Sequence, residues 1–270
     1  MRINLLRKYY FKNSVLLLSA LSLIHTMHLL HNLLLFLVSF GGGILALQFR
    51  FSDRGINYLL AFSGSFLLSI TLLHLLPETF DENTNAGIYI LAGFFLQLII
   101  QRLTHGVEHG HVHAHDLDQH AHSHAFHFNT IFLGLSIHAF MEGLPLGFNY
   151  RNGATEPSLY LAVAAHKLPE IILLTSLALH ARSKKFAWAI ILLFSLFTPL
   201  GSVTASFLGR KYYAISKAVT VVIPVVAGVF IHISTTIFFE SGTKHHLLTR
   251  NKVLAIILGV TLGLLSLLIE

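Results

Sequence analysis

Two histidine and glutamate pairs with the same spacing lie near the middle of the chain. His138 precedes Glu142 by four residues, and His166 precedes Glu170 by four residues. This separation stacks two side chains on one face of an α-helix. Imidazole nitrogens and carboxylate oxygens are ligands of Zn2+ and related divalent ions. Two such helices packed face to face would form a cage of four ligands for one divalent cation.

Both pairs lie within strongly apolar stretches, at about 128–149 and 158–180. A charged group inside a membrane span costs roughly 2.5–3.5 kcal/mol on insertion scales, so it is a candidate functional residue. Taken singly, each residue also has a structural explanation, because a histidine can join two helices by a hydrogen bond and a glutamate can pair with Lys167. The repeated spacing, each time next to a helix-loosening proline (Pro145 and Pro169), favours a metal path.

The composition is typical of an integral membrane protein. Of the 270 residues, 54% are apolar and 11% are charged, whereas a soluble domain carries about 25% charged residues. This excludes a secreted scaffold, a nucleic-acid module and a disordered tail. In such a protein, the net charge of +6 is explained by Lys and Arg residues in the loops, which orient the helices in the membrane. It is therefore no sign of a nucleic-acid partner. Because the chain has no cysteine, a metal site must use imidazole and carboxylate ligands.

The apolar segments are long enough for membrane helices, since lipid offers backbone groups no partner outside a helix or closed barrel. They lie at about 14–30, 31–49, 56–77, 87–103, 128–149, 158–180, 186–208, 214–239 and 251–269. We expect an all-α polytopic membrane protein, with an eight-helix transport domain over 31–270. Residues 1–30 form a signal-like or membrane-entry segment, for which cleavage, partial embedding and a single long first helix all remain open.

The positions of Lys and Arg orient these spans. For eight spans from residue 31, nine basic residues fall on one side and four on the other. The first set is Arg50, Arg54, Arg102, Arg182, Lys184, Lys185, Lys244, Arg250 and Lys252, and the second is Arg151, Arg210, Lys211 and Lys217. The first side is therefore expected to be cytoplasmic. Both ends of the eight-helix domain and the acidic loop from Glu78 to Asn85 then lie outside.

A histidine-rich loop follows the third span on the cytoplasmic side, at about 105–127. Its nine histidines are His105, His109, His111, His113, His115, His120, His122, His124 and His127. Imidazoles at alternate positions can turn toward one ion with little ordering of the backbone, and Glu108, Asp116 and Asp118 add carboxylates. We expect this loop to bind metal ions, and a pH-sensing or merely solvated loop is the alternative.

These motifs together resemble the Zrt/Irt-like (ZIP) family of divalent metal transporters over about residues 31–270. His138-Ala-Phe-Met-Glu142-Gly143 is similar to the family's fourth-helix motif, and His166-Lys-Leu-Pro169-Glu170 to the start of its fifth-helix motif. Further matches are His74-Leu-Leu-Pro77-Glu78 and Thr198-Pro199-Leu200-Gly201. The resemblance implies eight helices, a histidine-rich loop between the third and fourth spans, and alternating access.

Departures from the family pattern change the expected site. Members with two metal ions carry Asn at the position of Ala139 and carboxylates at those of Lys167 and Thr198, so all three second-site ligands are missing. The Lys167 ammonium would take the place of the second cation. We therefore predict one ion at the two histidine and glutamate pairs, with Lys167 as a built-in counter-ion. Glu170 replaces the motif's second His and Ile171 its last Glu.

Three further residues are pathway candidates. His74 and Glu78, again four apart at the outer end of the second span, form a predicted entrance, with an ordinary interfacial helix end as the alternative. His232 in the seventh span is a candidate for lining the pathway.

The sequence thus predicts a transporter of divalent metal ions into the cytoplasm, with no catalytic residues and no cofactor. The expected substrate is Zn2+, with Fe2+, Mn2+ and Cd2+ as alternatives, and the expected partners are the ion and the lipid bilayer, with a homodimer left open. No nucleotide-binding P-loop is present, so a gradient, the membrane potential or a coupled proton must drive transport. The alternatives are an intramembrane metallohydrolase, which usually carries His-Glu-x-x-His, and a metal sensor without flux.

Overall fold

The computed structural model describes residues 28–104, 128–148, 156–211, 213–240 and 249–268. These residues form eight helical spans and no strand, which confirms the predicted all-α fold. The spans are α1 His28–Gln48, α2 Asp53–Glu82, α3 Ala86–Thr104, α4 Phe128–Phe148, α5 Glu156–Ala181, α6 Lys184–Lys211, α7 Tyr213–Glu240 and α8 Arg250–Ser266. Most of the predicted segment 14–30 and the histidine-rich loop lie outside the described residues.

Seven of these helices are long and apolar enough to cross a membrane, and α8, with 17 residues, is slightly shorter. Helix α3 shows the lipid-facing pattern most clearly. Ile88, Leu91, Phe95 and Ile99 recur every three or four residues along it and are 52–69% exposed. An exposed apolar stripe of this length is typical of a helix that faces lipid tails. The chain is an integral, multi-pass membrane protein, as the composition predicts.

Helix α2 changes its winding near the outer end, the end assigned to the outside by the Lys and Arg count. It is α-helical over Asp53–Ile70, π-helical over Thr71–Leu75 and α-helical again over Leu76–Glu82. Pro77 lacks an N–H, and its ring would clash with the carbonyl of Leu73 in a regular α-helix. The wider turn relieves that clash, and it carries His74.

Glycines bring three pairs of helices into contact through their backbones. In the pair α4 and α6, a methyl group at Gly143 would overlap the carbonyl oxygen of Thr198, and one at Gly201 would overlap that of Phe140. Small residues allow such close approach in lipid, where the hydrophobic effect does not drive helices together. Equivalent backbone contacts join α3 to α7 at Gly93 and Gly228, and α2 to α8 at Gly259, whereas Gly263 of α8 lies against the side chain of Ser69.

Candidate metal centre

Helices α4 and α5 each supply one of the predicted histidine and glutamate pairs. On α4, His138 and Glu142 are fully buried, and on α5, His166 and Glu170 are no more than 1% exposed. The helical spacing of four places each pair on a single face. Pro169, inside α5, cannot donate to the carbonyl of Ala165, so this helix is locally weakened beside its two ligands.

The four side chains meet across the contact between α4 and α5. His138 Nε2 lies 3.1 Å from Glu142 Oε1 and 3.7 Å from Glu170 Oε1. His166 Nε2 lies 3.8 Å from Glu142 Oε1, and the two imidazole rings are 6.0 Å apart at an interplanar angle of 81°. Ligand atoms of His138, His166 and Glu170 all lie within 4.8 Å of one another. The structure therefore brings together all four residues that the spacing singled out.

Lys167 projects into the same cluster and contacts both carboxylates. Its Nζ pairs with Oε2 of Glu142 and lies 2.5 Å from Oε2 of Glu170. The ammonium also lies 5.3 Å from the centroid of the Phe194 ring, over its face. Each glutamate thus turns its Oε1 toward the imidazoles and its Oε2 toward the lysine.

Several polar atoms of the cluster lack a hydrogen-bond partner within the described residues. They include Nδ1 of His138, both ring nitrogens of His166 and Oε1 of Glu170. A buried polar atom without a partner costs about 1–3 kcal/mol, and such atoms are rare in native proteins. A cation bound between these side chains would give the unpartnered nitrogen and oxygen atoms a contact. The donor set suits a divalent ion with mixed nitrogen and oxygen preference.

The positions at which the family resemblance places second-site ligands carry Ala139, Lys167 and Thr198 in this chain. Ala139 and Thr198 are buried and bring no carboxylate, and Thr198 presents its carbonyl to the contact with Gly143. Ile171 packs against α1 close to Gly42.

The remaining candidates lie apart from this cluster. His74 Nε2 is 2.7 Å from Ser266 Oγ on α8, whereas Glu78 lines a small cavity against α7. His232 Nε2 is 2.9 Å from Gln101 Oε1 on α3, and the ring packs edge-on against Phe94 at 4.7 Å. The nine loop histidines lie outside the described residues. Entrance, pathway and loop roles therefore stay predictions.

Sequence reasoning did not single out Gln101, the partner of His232, or Phe194, which lies under Lys167. Both depend on contacts between different helices, and neither carries a local spacing signal. A second missed feature is a cavity of about 510 Å³ at the inner end of α1, α2 and α5. Its polar lining includes Arg50, Asp53 and His180.

Comparison with protein families agrees with the resemblance seen in the motifs. The family model of the ZIP zinc transporters matches residues 105–268, more than half of the chain. The matched range begins at the histidine-rich loop and includes both helices that supply the cluster. No curated protein matches the chain significantly.

Proposed function

Because the chain belongs to the ZIP zinc transporter family, we propose that it carries a divalent metal ion, Zn2+ first of all, across the bilayer into the cytoplasm. Metal transport is the activity of the family. The transported ion binds in a single cage formed by the two imidazole and carboxylate pairs of α4 and α5. The observation that carries this proposal is the convergence of two Nε2 and two Oε1 atoms, at 3.1–3.8 Å, in a fully buried place.

Lys167 restricts the cage to one ion. With neutral imidazoles, the two carboxylates and the ammonium carry a net charge of −1, which a divalent ion changes to +1. A second divalent ion would raise it to +3 in a medium of low dielectric constant, where charge is costly. The contacts of Nζ with both Oε2 atoms support this role, because the ammonium occupies the side of the carboxylates that faces away from the imidazoles.

The 510 Å³ cavity gives the ion a route toward the cytoplasm. Its lining includes Ile172 and Leu173, two and three residues after Glu170 on α5, and it reaches Asp53 and His180 near the inner end. A hydrated ion released from the cage would meet a carboxylate and an imidazole there before it reaches the histidine-rich loop. We assign entry to the opposite end, where the acidic loop begins at Glu78.

The ligand chemistry favours Zn2+ over the alternatives. Two imidazoles and two carboxylates satisfy the tetrahedral preference of Zn2+, whereas Fe2+, Mn2+ and Cd2+ accept similar ligands with other coordination numbers. A competition series with these ions in an uptake assay ranks them directly.

The protein performs transport and no covalent chemistry in this proposal. A metallohydrolase must deliver water and substrate to its metal, and all five cluster residues are at most 1% exposed. The family is one of transporters. A sensor without flux would bind the ion but not release it on the other side.

Uptake of radioactive zinc into proteoliposomes tests the proposal. The wild-type protein should load the vesicles, and His166→Ala or Glu142→Ala should abolish loading, since each leaves an incomplete cage. Thr175→Val is the matched control, because Thr175 is equally buried on α5 but lies outside the cluster. Zinc binding without loading by the wild type would indicate a sensor. Undiminished loading by both cage variants would refute the assigned site.

A further inference from the structure

The large cavity at the inner end of α1, α2 and α5 has an apolar part and a charged part. Its volume of about 510 Å³ lies within the range of about 300–1,000 Å³ that is usual for sites of small ligands. The apolar lining includes Ala46, Ile56 and Leu173, and the polar lining includes Arg50 and His180. A ligand that fills this cavity needs both an apolar portion and a polar head.

The wall of the cavity at the end of α1 borders the lipid. Phe49 and Phe51 line the cavity and are 60% and 40% exposed. Leu45, which precedes the lining residue Ala46, is 45% exposed. Aromatic side chains are enriched at the level of the lipid headgroups, and α1 ends just before these two phenylalanines. The cavity therefore lies next to the bilayer, where the headgroups of the inner leaflet begin.

Cations without an acidic partner surround the charged part of the cavity. Arg50 lines the cavity itself. Four further exposed cations lie close in the chain to the lining residues Asp53 and His180, namely Arg54, Arg182, Lys184 and Lys185. None of these five side chains forms an ion pair within the described residues. An anionic ligand would give this group of positive charges a partner.

The acidic residue of the lining, Asp53, does not oppose an anion as strongly as its charge suggests. It lies in the first turn of α2, directly after the N-cap Ser52, whose hydroxyl accepts a hydrogen bond from Gly55 N at 3.2 Å. A carboxylate at this position interacts favourably with the positive end of the helix dipole. Asp53 therefore has a structural role in starting α2.

The lining also offers a nitrogen to a hydroxyl of a headgroup. His180 Nδ1 lies 2.7 Å from the carbonyl oxygen of Ser176. Because a carbonyl can only accept a hydrogen bond, Nδ1 carries the proton and donates it. In the neutral ring, Nε2 is then the acceptor that remains for a ligand.

We propose that this cavity binds the headgroup of an anionic phospholipid of the inner leaflet. The Arg50 guanidinium binds the phosphate, and the apolar lining contacts the adjoining part of an acyl chain. Guanidinium groups bind phosphate by paired, charge-assisted hydrogen bonds, and basic pockets between membrane helices on the cytoplasmic side bind such lipids. The apolar lining and the lipid-facing wall favour a lipid over a free anion. Binding of the lipid does not depend on the transport proposal.

Native mass spectrometry of the full-length protein in micelles, with phosphatidylglycerol as the probe, tests the site. Arg50→Gln should weaken lipid binding at least about tenfold, as expected for the loss of charge-assisted hydrogen bonds. Arg102→Gln is the matched control, because Arg102 is exposed near the inner end of α3 but does not line the cavity. It should leave the affinity within about twofold, since an exposed charge elsewhere contributes little. Equal losses in both variants, or no loss in Arg50→Gln, would overturn the proposal.

Ala46→Leu tests the apolar part without a change of charge. Ala46 lines the cavity, so a leucine there would take up part of its volume and should weaken binding of phosphatidylglycerol. Leu45→Ile is the control, because Leu45 is exposed toward the lipid, and it should leave binding unchanged. Undiminished binding by Ala46→Leu would place the lipid elsewhere on the protein and overturn the proposal.

Two further probes identify the chemistry of the ligand. Phosphatidylcholine should bind more weakly than phosphatidylglycerol, because its headgroup carries no net charge, and equal binding would refute an anionic site. Inorganic phosphate at the same concentration should not displace phosphatidylglycerol, because it lacks the apolar portion. Displacement by inorganic phosphate would identify a site for free anions and overturn the lipid assignment.

A consequence for transport rests on the proposed function, since the bound headgroup would occupy the cavity that we assign to release of the ion. Zinc loading by Arg50→Gln, relative to wild type, should be faster in vesicles with phosphatidylglycerol than in vesicles of phosphatidylcholine alone. Lipid binding without this difference would argue against the cavity as the release route. Normal loading without lipid binding would overturn the lipid site and leave the transport proposal standing.

Discussion

Replacing Lys167 by methionine separates the charge of this side chain from its bulk. The wild-type ammonium is at most 1% exposed and contacts both glutamates. Methionine is unbranched and of similar length but carries no charge and no donor. In the metal-free variant, Oε2 of Glu142 and of Glu170 would lose this partner. We expect the metal-free protein to be destabilised and its binding of zinc to be strengthened.

The structure gives a magnitude for the loss of stability without metal and for the gain in zinc affinity. Removing one partner of a buried ion pair costs about 3–5 kcal/mol, because the remaining charge stays buried and uncompensated. The lost contact with the Phe194 ring adds roughly 0.5–2 kcal/mol. Zinc supplies positive charge to the same two carboxylates, so it should bind the variant at least tenfold more tightly, which corresponds to about 1.4 kcal/mol.

The assay is reversible unfolding in mixed micelles, with a chelator and with saturating zinc. Without zinc, Lys167→Met should lie about 3.5–7 kcal/mol below wild type in free energy of unfolding. With zinc, that difference should shrink by at least about 1.4 kcal/mol. Lys185→Met serves as the control, because Lys185 is exposed on α6 and exposed substitutions change stability by about 0.5 kcal/mol or less.

The outcome that refutes the reasoning is a difference between Lys167→Met and wild type that zinc leaves unchanged. The ammonium and the ion would then not share the two carboxylates. Lys167→Glu extends the test, since it changes the cluster charge from −1 to −3 with neutral imidazoles. This variant should bind two zinc ions per chain, or one ion with higher affinity, in equilibrium dialysis. Unchanged stoichiometry and affinity would argue against Lys167 as the replacement for a second cation.

Three further outcomes follow from the same geometry. Zinc binding should weaken as the pH falls, because imidazole and carboxylate ligands must lose their protons to bind the ion. Equilibrium dialysis at several pH values measures the zinc affinity, and stronger binding in acid would contradict the prediction. Deletion of residues 106–126 should preserve the initial rate of vesicle loading and alter its response to internal zinc, whereas complete loss of loading would assign the loop to the transport step. Gly143→Leu should lower the free energy of unfolding by at least about 1–3 kcal/mol, because the leucine side chain would overlap the backbone of α6. Gly87→Ala should change the free energy of unfolding little, because Gly87 faces open space.

The helices were predictable because membrane spans are long and uniformly apolar. The segment predicted at about 128–149 is α4, Phe128–Phe148, and that predicted at about 158–180 is α5, Glu156–Ala181. The contact between His138 and Glu170 was also predictable. A spacing of four places each histidine and glutamate pair on one helix face, and a face with an ionisable side chain turns away from lipid because its exposure there is costly.

The finer geometry depends on contacts that sequence spacing does not encode. His74 and Glu78 are four residues apart, yet His74 bonds to Ser266 on α8 while Glu78 lines a cavity against α7. The π-helical turn at Thr71–Leu75 and the neighbours on two other helices determine this difference.

The packing around the cage limits how the ion can leave it. Helix α4 is held against α6 by close backbone contacts at Gly143 and Gly201. Helix α5 contacts α1 through side chains, as Ile171 does near Gly42, and its inner half borders the large cavity at Leu173. Side-chain contacts yield more readily than interlocked backbones. We therefore propose that the cage opens by a displacement of α5 rather than by a separation of α4 from α6.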